Sequence, residues 1–373
     1  MKLARAQNHF ALKLLKELSS EKPESNLFFS PTSISVALAM VSAGARGKSE
    51  AELSAALGHT AAGLSSRESI LESYKKILAE QQTDDNVSLM IANAVFVKKT
   101  LKVLESYQKE LVNTFAAMFR SVGGEKSAME SEVNEWVKNK TRGKISGFKI
   151  PADTVMALLN AIYFKGLWKT PFEAEYTSPH PFYNKGSQEV KVETMMRHGE
   201  VPIANEFDFA AIELSYKGDR HCMVIVLPHE KKGLPKLRDA MTVESIEKIQ
   251  RSLQNETLVI QLPKFNLKTE YRLIPALKKL GVRSIFSDAD LSGITGDGRL
   301  RVTEVQHKAA IEVNEEGTVA SAATELAGPE SLATAFVVDR PFLFYIREKA
   351  TGRVLFLGEV HELPAAKVKP ALR

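Results

Sequence analysis

The residues that could do chemistry are not spaced as enzymes space them. A nucleophile elbow needs G-x-S-x-G, so that a strained turn lifts a serine hydroxyl towards a base. The nearest strings, Gly47-Lys48-Ser49 and Gly143-Lys144-Ile145-Ser146-Gly147, lack that spacing. Gly47-Lys48-Ser49 also resembles half of a phosphate-binding loop, but Ser42 stands where the upstream glycine is required. No H-E-x-x-H occurs, and the eight histidines are scattered without ligand spacing, so neither metal nor cofactor is expected. Cys222 is the only cysteine, which excludes an intramolecular disulfide and leaves the compartment open. These absences argue against an enzyme and for binding or inhibition.

Asn86-Val87-Ser88, Asn139-Lys140-Thr141 and Asn255-Glu256-Thr257 have the form of N-glycan acceptors, which matters only if the chain is secreted. Such short matches also arise by chance. The segment from Glu315 to Thr334 is more unusual: it is made of small residues and lies between apolar runs. About twenty structureless residues inside a compact domain mean either function or disorder.

The surrounding elements must hold that segment. Residues 4 to 19 place Phe10, Ala11, Leu14, Leu15 and Leu18 at helical spacing, which predicts an amphipathic helix. Ser30-Pro31 reads as a capping hydroxyl followed by a first-turn proline, and predicts a buried helix running to about residue 44. Further helices are expected near 49–57, 66–80, 104–118 and 127–141. Apolar runs without helical period predict strands at Leu89–Val97, Met156–Phe164, His221–Leu227, Leu258–Leu262, Thr334–Val338, Phe342–Ile346 and Arg353–Val360. Helices dominate the first part and strands the rest, with no linker between them. The expectation is one α+β domain.

The chain has 373 residues, 44% of them hydrophobic, which is ample for a large core. Its net charge of +5 is small and its charges are mixed in sign, so nucleic acid is not an expected partner. No run is apolar enough to span a membrane, and the start, Met1-Lys2-Leu3-Ala4-Arg5, has no signal core, as in a mature or cytosolic protein. The tail from Pro364 to Arg373 carries Lys367, Lys369 and Arg373 and no acid, and is expected to be disordered or appended.

Several ordered motifs together resemble the serpin family over residues 4 to 363. They are Asn26-Leu27-Phe28-Phe29-Ser30-Pro31-Thr32-Ser33-Ile34, Asn134-Glu135-Trp136-Val137 with Thr141-Arg142-Gly143-Lys144-Ile145, Leu159-Asn160-Ala161-Ile162-Tyr163-Phe164-Lys165-Gly166-Leu167-Trp168, and Asp339-Arg340-Pro341-Phe342-Leu343-Phe344. The likeness is strongest to arthropod serpins, of the tick salivary kind. It implies one domain over residues 1–363, with three β-sheets, eight or nine helices and a reactive-centre loop at about 315–336. It also implies a secreted, extracellular, monomeric glycoprotein that inhibits a serine protease through loop cleavage, a covalent acyl-enzyme and loop insertion. The alternative is a non-inhibitory serpin acting as carrier or binding module.

The hinge would be Glu315-Glu316-Gly317-Thr318-Val319-Ala320-Ser321-Ala322-Ala323-Thr324. In a strand begun at Thr318, the inward side chains would be Thr318, Ala320, Ala322, Thr324, Leu326 and Gly328, all small or apolar. No proline interrupts Gly317 to Gly328. Ser30, Ser33, Asn160 and His307 match the family's shutter beneath the point where the sheet opens, Trp168 its upper tryptophan, and Lys264 with Glu315 a salt bridge at the loop's base. A lone buried His or Asn is more often a satisfied core group, but four positions agree with one family pattern. Trp168 could equally be ordinary core, and an exposed Glu315–Lys264 pair would add only about 0–1 kcal/mol. The counterpart of the family's heparin-binding helix, 66–80, mixes Arg67, Lys75 and Lys76 with Glu68, Glu72 and Glu80, so heparin is not an expected partner.

Two family spacings place the cut differently. Counting from Glu315 gives Ser331-Leu332, and counting back from Pro341 gives Glu330-Ser331. The form Pro329-Glu330-Ser331 favours the latter. A glutamate there would be repelled by the pocket carboxylate of trypsin-like enzymes, at a cost of several kcal/mol. An acid-preferring target is expected, or an elastase-like or chymase-like one for the alternative bond.

Overall fold

A computed structural model describes residues 2–80, 87–122, 126–151, 153–296, 300–316 and 334–367. Among these the helices are α1 (Lys2–Glu21), α2 (Pro31–Gly44), α3 (Gly47–Leu57), α4 (Arg67–Glu80), α5 (Glu105–Phe115), α6 (Lys126–Lys140), α7 (Leu234–Ala240), α8 (Val243–Ser252), α9 (Ile274–Lys279) and α10 (Ser292–Thr295). The strands begin with β1 (Leu27–Phe29), β2 (Val87–Lys98), β3 (Met118–Val122), β4 (Met156–Gly166), β5 (Ser178–Asn184), β6 (Gln188–Asn205) and β7 (Phe209–Ser215). They continue with β8 (His221–Pro228), β9 (Gln254–Pro263), β10 (Phe265–Arg272), β11 (Glu304–Val313), β12 (Ala335–Val337), β13 (Phe342–Glu348) and β14 (Val354–Val360).

Helix α2 starts where Ser30 and Pro31 predict. Ser30 Oγ accepts from Ser33 N–H at 3.1 Å, and the proline fills the first turn, where its missing N–H costs nothing. Every residue from Pro31 to Gly44 is buried, so this helix is a core element rather than an amphipathic one.

Five strands form one sheet in the order β10-β11-β4-β2-β3. Its pairings are antiparallel between β10 and β11 and between β4 and β2, but parallel between β11 and β4 and between β2 and β3. The central β4–β11 seam has Glu304 opposite Ala157 and His307 opposite Asn160. The remaining nine strands form a second sheet, ordered β1-β14-β13-β8-β7-β6-β9-β12 with β5 on β6.

The architecture is α+β as expected, and five details of it need correction. The three expected sheets appear as two hydrogen-bonded ones, because the 18-residue strand β6 pairs in turn with β5, β9 and β7 and joins two of them. Gly199, at φ +150° within β6, gives that strand a conformation an L side chain rarely adopts. Ten α-helices are present among the described residues instead of eight or nine, the last being only four residues long. The helix expected over 104–118 ends at Phe115, since Ala116 turns left-handed and sends the chain into β3. The loop expected to run to about 336 ends earlier, because Ala335 and Phe336 already pair with Val259 and Ile260. The tail expected to be disordered from Pro364 is placed as far as Lys367, with Ala366 N–H on Lys191 O at 2.8 Å, and 368–373 lie outside the described residues.

Between the sheets, the Phe28 ring stacks 5.9 Å from Phe344 and 5.2 Å from Phe356. Gly358 is the close-approach residue of this layer: a Cβ there would lie 2.6 Å from Phe344 Cε1 and 2.7 Å from Leu27 O. Gly358→Ala is expected to destabilise the protein by about 1–3 kcal/mol through overpacking. A thermal midpoint equal to the parent's would show that the ring can give way.

Candidate functional site

The site is the β4–β11 seam and the side chains that cross it. Asn160 on β4 and His307 on β11 lie opposite each other, and both are buried. Ser30 N–H donates to His307 Nε2 at 3.1 Å, so this nitrogen is unprotonated and Nδ1 carries the proton. His307 Nδ1 then donates to Asn160 Oδ1. Asn160 Nδ2 donates to Ser33 Oγ and to Asn93 Oδ1, each at 2.5 Å. The seam is thereby tied to the first turn of α2. Tyr271 stacks on the His307 ring at 6.3 Å, and its hydroxyl accepts from Phe28 N–H.

At the upper end of the seam, the Trp168 indole N–H donates to Asn314 O at 2.9 Å. Its ring lies flat on Tyr216 at 4.7 Å, and little of it is exposed. Trp168 follows β4 and Asn314 follows β11, so this bond joins the two strand ends. Lys165 on β4 adds contacts to Glu316 at 2.8 Å and to Glu312 at 3.8 Å. Its ammonium is held above the ordinary lysine range, chiefly by the hydrogen bond to Glu316.

Glu315 turns outwards to Lys264, 2.8 Å away at the end of β9, and accepts from Thr177 Oγ1 at 2.8 Å. Burial alone would raise its carboxyl, but hydrogen bonds from Lys264, its own backbone N–H and Thr177 hold it below the ordinary range. Lys264 is partly exposed, so the pair adds only about 0–1 kcal/mol of stability.

The structure therefore brings together Ser30, Ser33, Asn160 and His307 as one group, and Trp168, Lys264, Glu315 and Glu316 around the strand ends. Gly317, Thr318, Val319, Ala320, Ser321, Ala322, Ala323, Thr324, Glu330, Ser331 and Leu332 lie outside the described residues, as does Asn86. Asn139 and Asn255 are both exposed. Asn93, Thr177, Lys165 and Asn314 were not expected in the site. Asn93 had a signal, since it is the polar interruption of the run Leu89–Val97, just as Asn160 interrupts Met156–Phe164. The other three had none, because ordinary polar residues near strand ends are not distinctive. No group of three or more metal-ligating side chains occurs among the described residues.

A family model described as serpin (serine protease inhibitor) matches residues 5–363. The chain belongs to the serpin family. Among curated proteins it is similar to Iripin-2 of Ixodes ricinus, 41% identical with 97% of this chain and 94% of that protein covered. The expected likeness to arthropod serpins is thus borne out. Among solved structures it resembles uncleaved ovalbumin, with a TM-score of 0.89 at 26% identity, covering 97% of this serpin and all of that chain. It also resembles human thyroxine-binding globulin complexed with thyroxine, with a TM-score of 0.88 at 28% identity, covering 98% of this serpin and 99% of that chain.

Burial, which penalises the charged ring, pushes His307 down to about 3, against about 6.5 for a free imidazole. The folded serpin therefore binds this proton less readily than the unfolded chain. The stability from a neutral His307 is present above about pH 6.5 and is lost as the pH falls towards 3, at up to about 1.4 kcal/mol per unit. Buried His59, down to about 4 for the same reason, acts in the same direction. The thermal midpoint should fall between pH 7.5 and 5, and fall less in His307→Gln. Equal falls would mean that His307 does not contribute.

Proposed function

We propose that this serpin is a secreted, monomeric suicide inhibitor of a serine protease and that it acts by loop insertion at the β4–β11 seam. The observation that carries the reading is the parallel pairing of these two strands in the centre of the sheet. Chain that turned back after Val313 and entered there would run antiparallel to both neighbours. Loop insertion is an established serpin device. Its driving force here comes from the sequence: about a dozen inserted residues add on the order of ten backbone hydrogen bonds, at roughly 1 kcal/mol net each. The small inward set, Thr318 to Gly328, fits such a strand.

In the reaction, the protease serine Oγ attacks the carbonyl carbon of Glu330, and the amine of Ser331 leaves with a proton. The acyl ester that remains is carried away with the inserting strand before water can cleave it. Hinge roles are assigned to residues 315–324, shutter and breach roles to Ser30, Ser33, Asn160, Trp168, Lys264 and His307, and glycans to Asn86, Asn139 and Asn255. The domain is taken as residues 1–363. A second reading, a carrier or binding module, is kept by the likeness to thyroxine-binding globulin, whose solved structure holds thyroxine. A protease complex that survives boiling in detergent supports inhibition. Ligand binding with substrate-like cleavage supports the carrier.

Cleavage within Glu325 to Thr334 should raise the thermal midpoint, because the freed chain can pair inside the sheet. Thr318→Arg should abolish that rise and turn the inhibitor into a substrate, since a charge would have to enter the sheet interior. Detergent-stable complexes formed by Thr318→Arg at the parent rate would refute insertion from that residue.

The expected target is an acid-preferring serine protease of the granzyme B or glutamyl-endopeptidase kind, because Glu330 is the only acid between Glu325 and Asp339. Glu330→Arg should redirect inhibition towards trypsin-like enzymes by supplying a partner for their pocket carboxylate. Sequencing the new N-terminus after inhibition decides the bond. Ser331 supports this reading, whereas Leu332 moves the cut one residue on and points to elastase-like or chymase-like targets.

A further inference from the structure

The hairpin turn between β6 and β7 carries Phe207, a residue that is 96% exposed, far more than Val112 at 59% or Leu104 at 36%. A bare aromatic ring in water is unfavourable, and here it is displayed on a fixed base. The turn is closed by Glu206 N–H on Phe209 O at 2.9 Å. His229 holds it from the side: its N–H reaches Asp208 O at 3.0 Å, and its Nε2 lies 2.9 Å from Glu206 O. The flanking acids are neutralised, Glu206 by Lys248 on α8 at 2.6 Å and Asp208 by Lys236 on α7 at 3.0 Å. The result is a rigid apolar knob in a charge-balanced collar, which loses little freedom and leaves no unpaired charge when covered.

The turn is also linked to the downstream end of the reactive-centre region. Arg340 Nη1 donates to His229 O at 2.5 Å. Arg340 comes six residues after Thr334, so at most about 20 Å of extended chain separates the two. A standard protein interface covers about 800 Å² on each partner, a patch broad enough to reach from Thr334 to this turn.

We infer that Phe207 is an exosite anchor, a second contact for the same protease that takes the reactive-centre loop, filling an apolar depression beside that enzyme's active-site cleft. The inference rests on the inhibitory reading for its occupant and adds a determinant of target choice outside the loop. Such a contact prolongs the encounter complex and so raises the rate of acylation while leaving loop insertion and trapping as they are.

The test compares wild type, Phe207→Ala and Phe207→Trp against granzyme B, a glutamyl endopeptidase, elastase and chymase. Phe207→Ala should slow inhibition of the enzyme inhibited fastest about tenfold, with the inhibition stoichiometry and the thermal midpoint unchanged. Phe207→Trp should restore the rate. Equal rates for wild type and Phe207→Ala across the panel overturn the exosite. A second measurement separates this from the inhibitory reading: the dissociation constant for the same enzymes with the nucleophilic serine replaced by alanine. A tenfold weaker constant for Phe207→Ala supports the exosite even where no covalent complex forms, in which case the inhibitory reading fails alone. Equal constants overturn the exosite.

Discussion

The parallel seam between β4 and β11 is the constraint on which the rest of the structure depends. Parallel pairs carry slanted hydrogen bonds and are slightly weaker per residue than antiparallel ones. This seam is reinforced by side chains at two levels: His307 with Asn160 in the middle, and Trp168 with Asn314 at the upper end. The middle level also reaches α2, because the backbone N–H of its N-cap residue, Ser30, is the donor that fixes the His307 tautomer. The loop-insertion proposal requires the seam to stay closed in one state and admit a strand in another, and side-chain ties would suit that, since these can exchange partners while the flanking strands remain intact.

That exchange is limited by burial. Ser30, Ser33, Asn93, Asn160 and His307 are all buried, and leaving one such polar group unpaired costs about 1–3 kcal/mol. Under the proposed insertion, a strand entering between β4 and β11 would separate His307 from Asn160, and its own backbone or side chains would have to satisfy both. In the proposed hinge, Thr318, Thr324 and the alanines are small, and each carries a backbone N–H donor. A hinge with large inward side chains would meet the same polar cluster without relieving it. On the loop-insertion proposal, the small residues of that segment would suit the polar cluster they meet.

Much of this was legible in the sequence because the relevant signals are local. Ser30-Pro31 marked the start of α2, and the long apolar runs marked β2, β4, β8, β13 and β14. Strand β6 was missed because the strand expectations rest on continuous apolar runs, which its eighteen residues lack, and because Gly199 and Pro202 argue against a strand. Strand β11 was missed because Gln306, His307 and Lys308 interrupt it. All three are buried and hydrogen-bonded across the sheet or to the segment after α6, and only tertiary structure reveals that. Phe207 was invisible for the opposite reason: Asn-Glu-Phe-Asp-Phe reads as ordinary alternation, and nothing local tells which of the two phenylalanines is left outside.

The two described ends of the proposed reactive-centre region are held by different forces, and this asymmetry bears on the proposed insertion. Upstream, Glu315 and Glu316 rest on ion pairs with Lys264 and Lys165, partly exposed contacts of the kind that contribute about 0–1 kcal/mol each. Downstream, Ala335 to Val337 lie in a main-chain ladder on β9, extended by Val259 N–H to Thr334 O and by Val338 N–H to Gln261 O. Phe336 is buried beneath that ladder. Breaking the downstream attachment would strand several backbone groups and expose an aromatic ring, whereas the upstream ion pairs can be exchanged for water at little cost. If the chain between them were cut as proposed, the upstream half would be the one held more weakly, and its described end, Glu315, lies next to Asn314, the partner of Trp168 at the upper end of the seam.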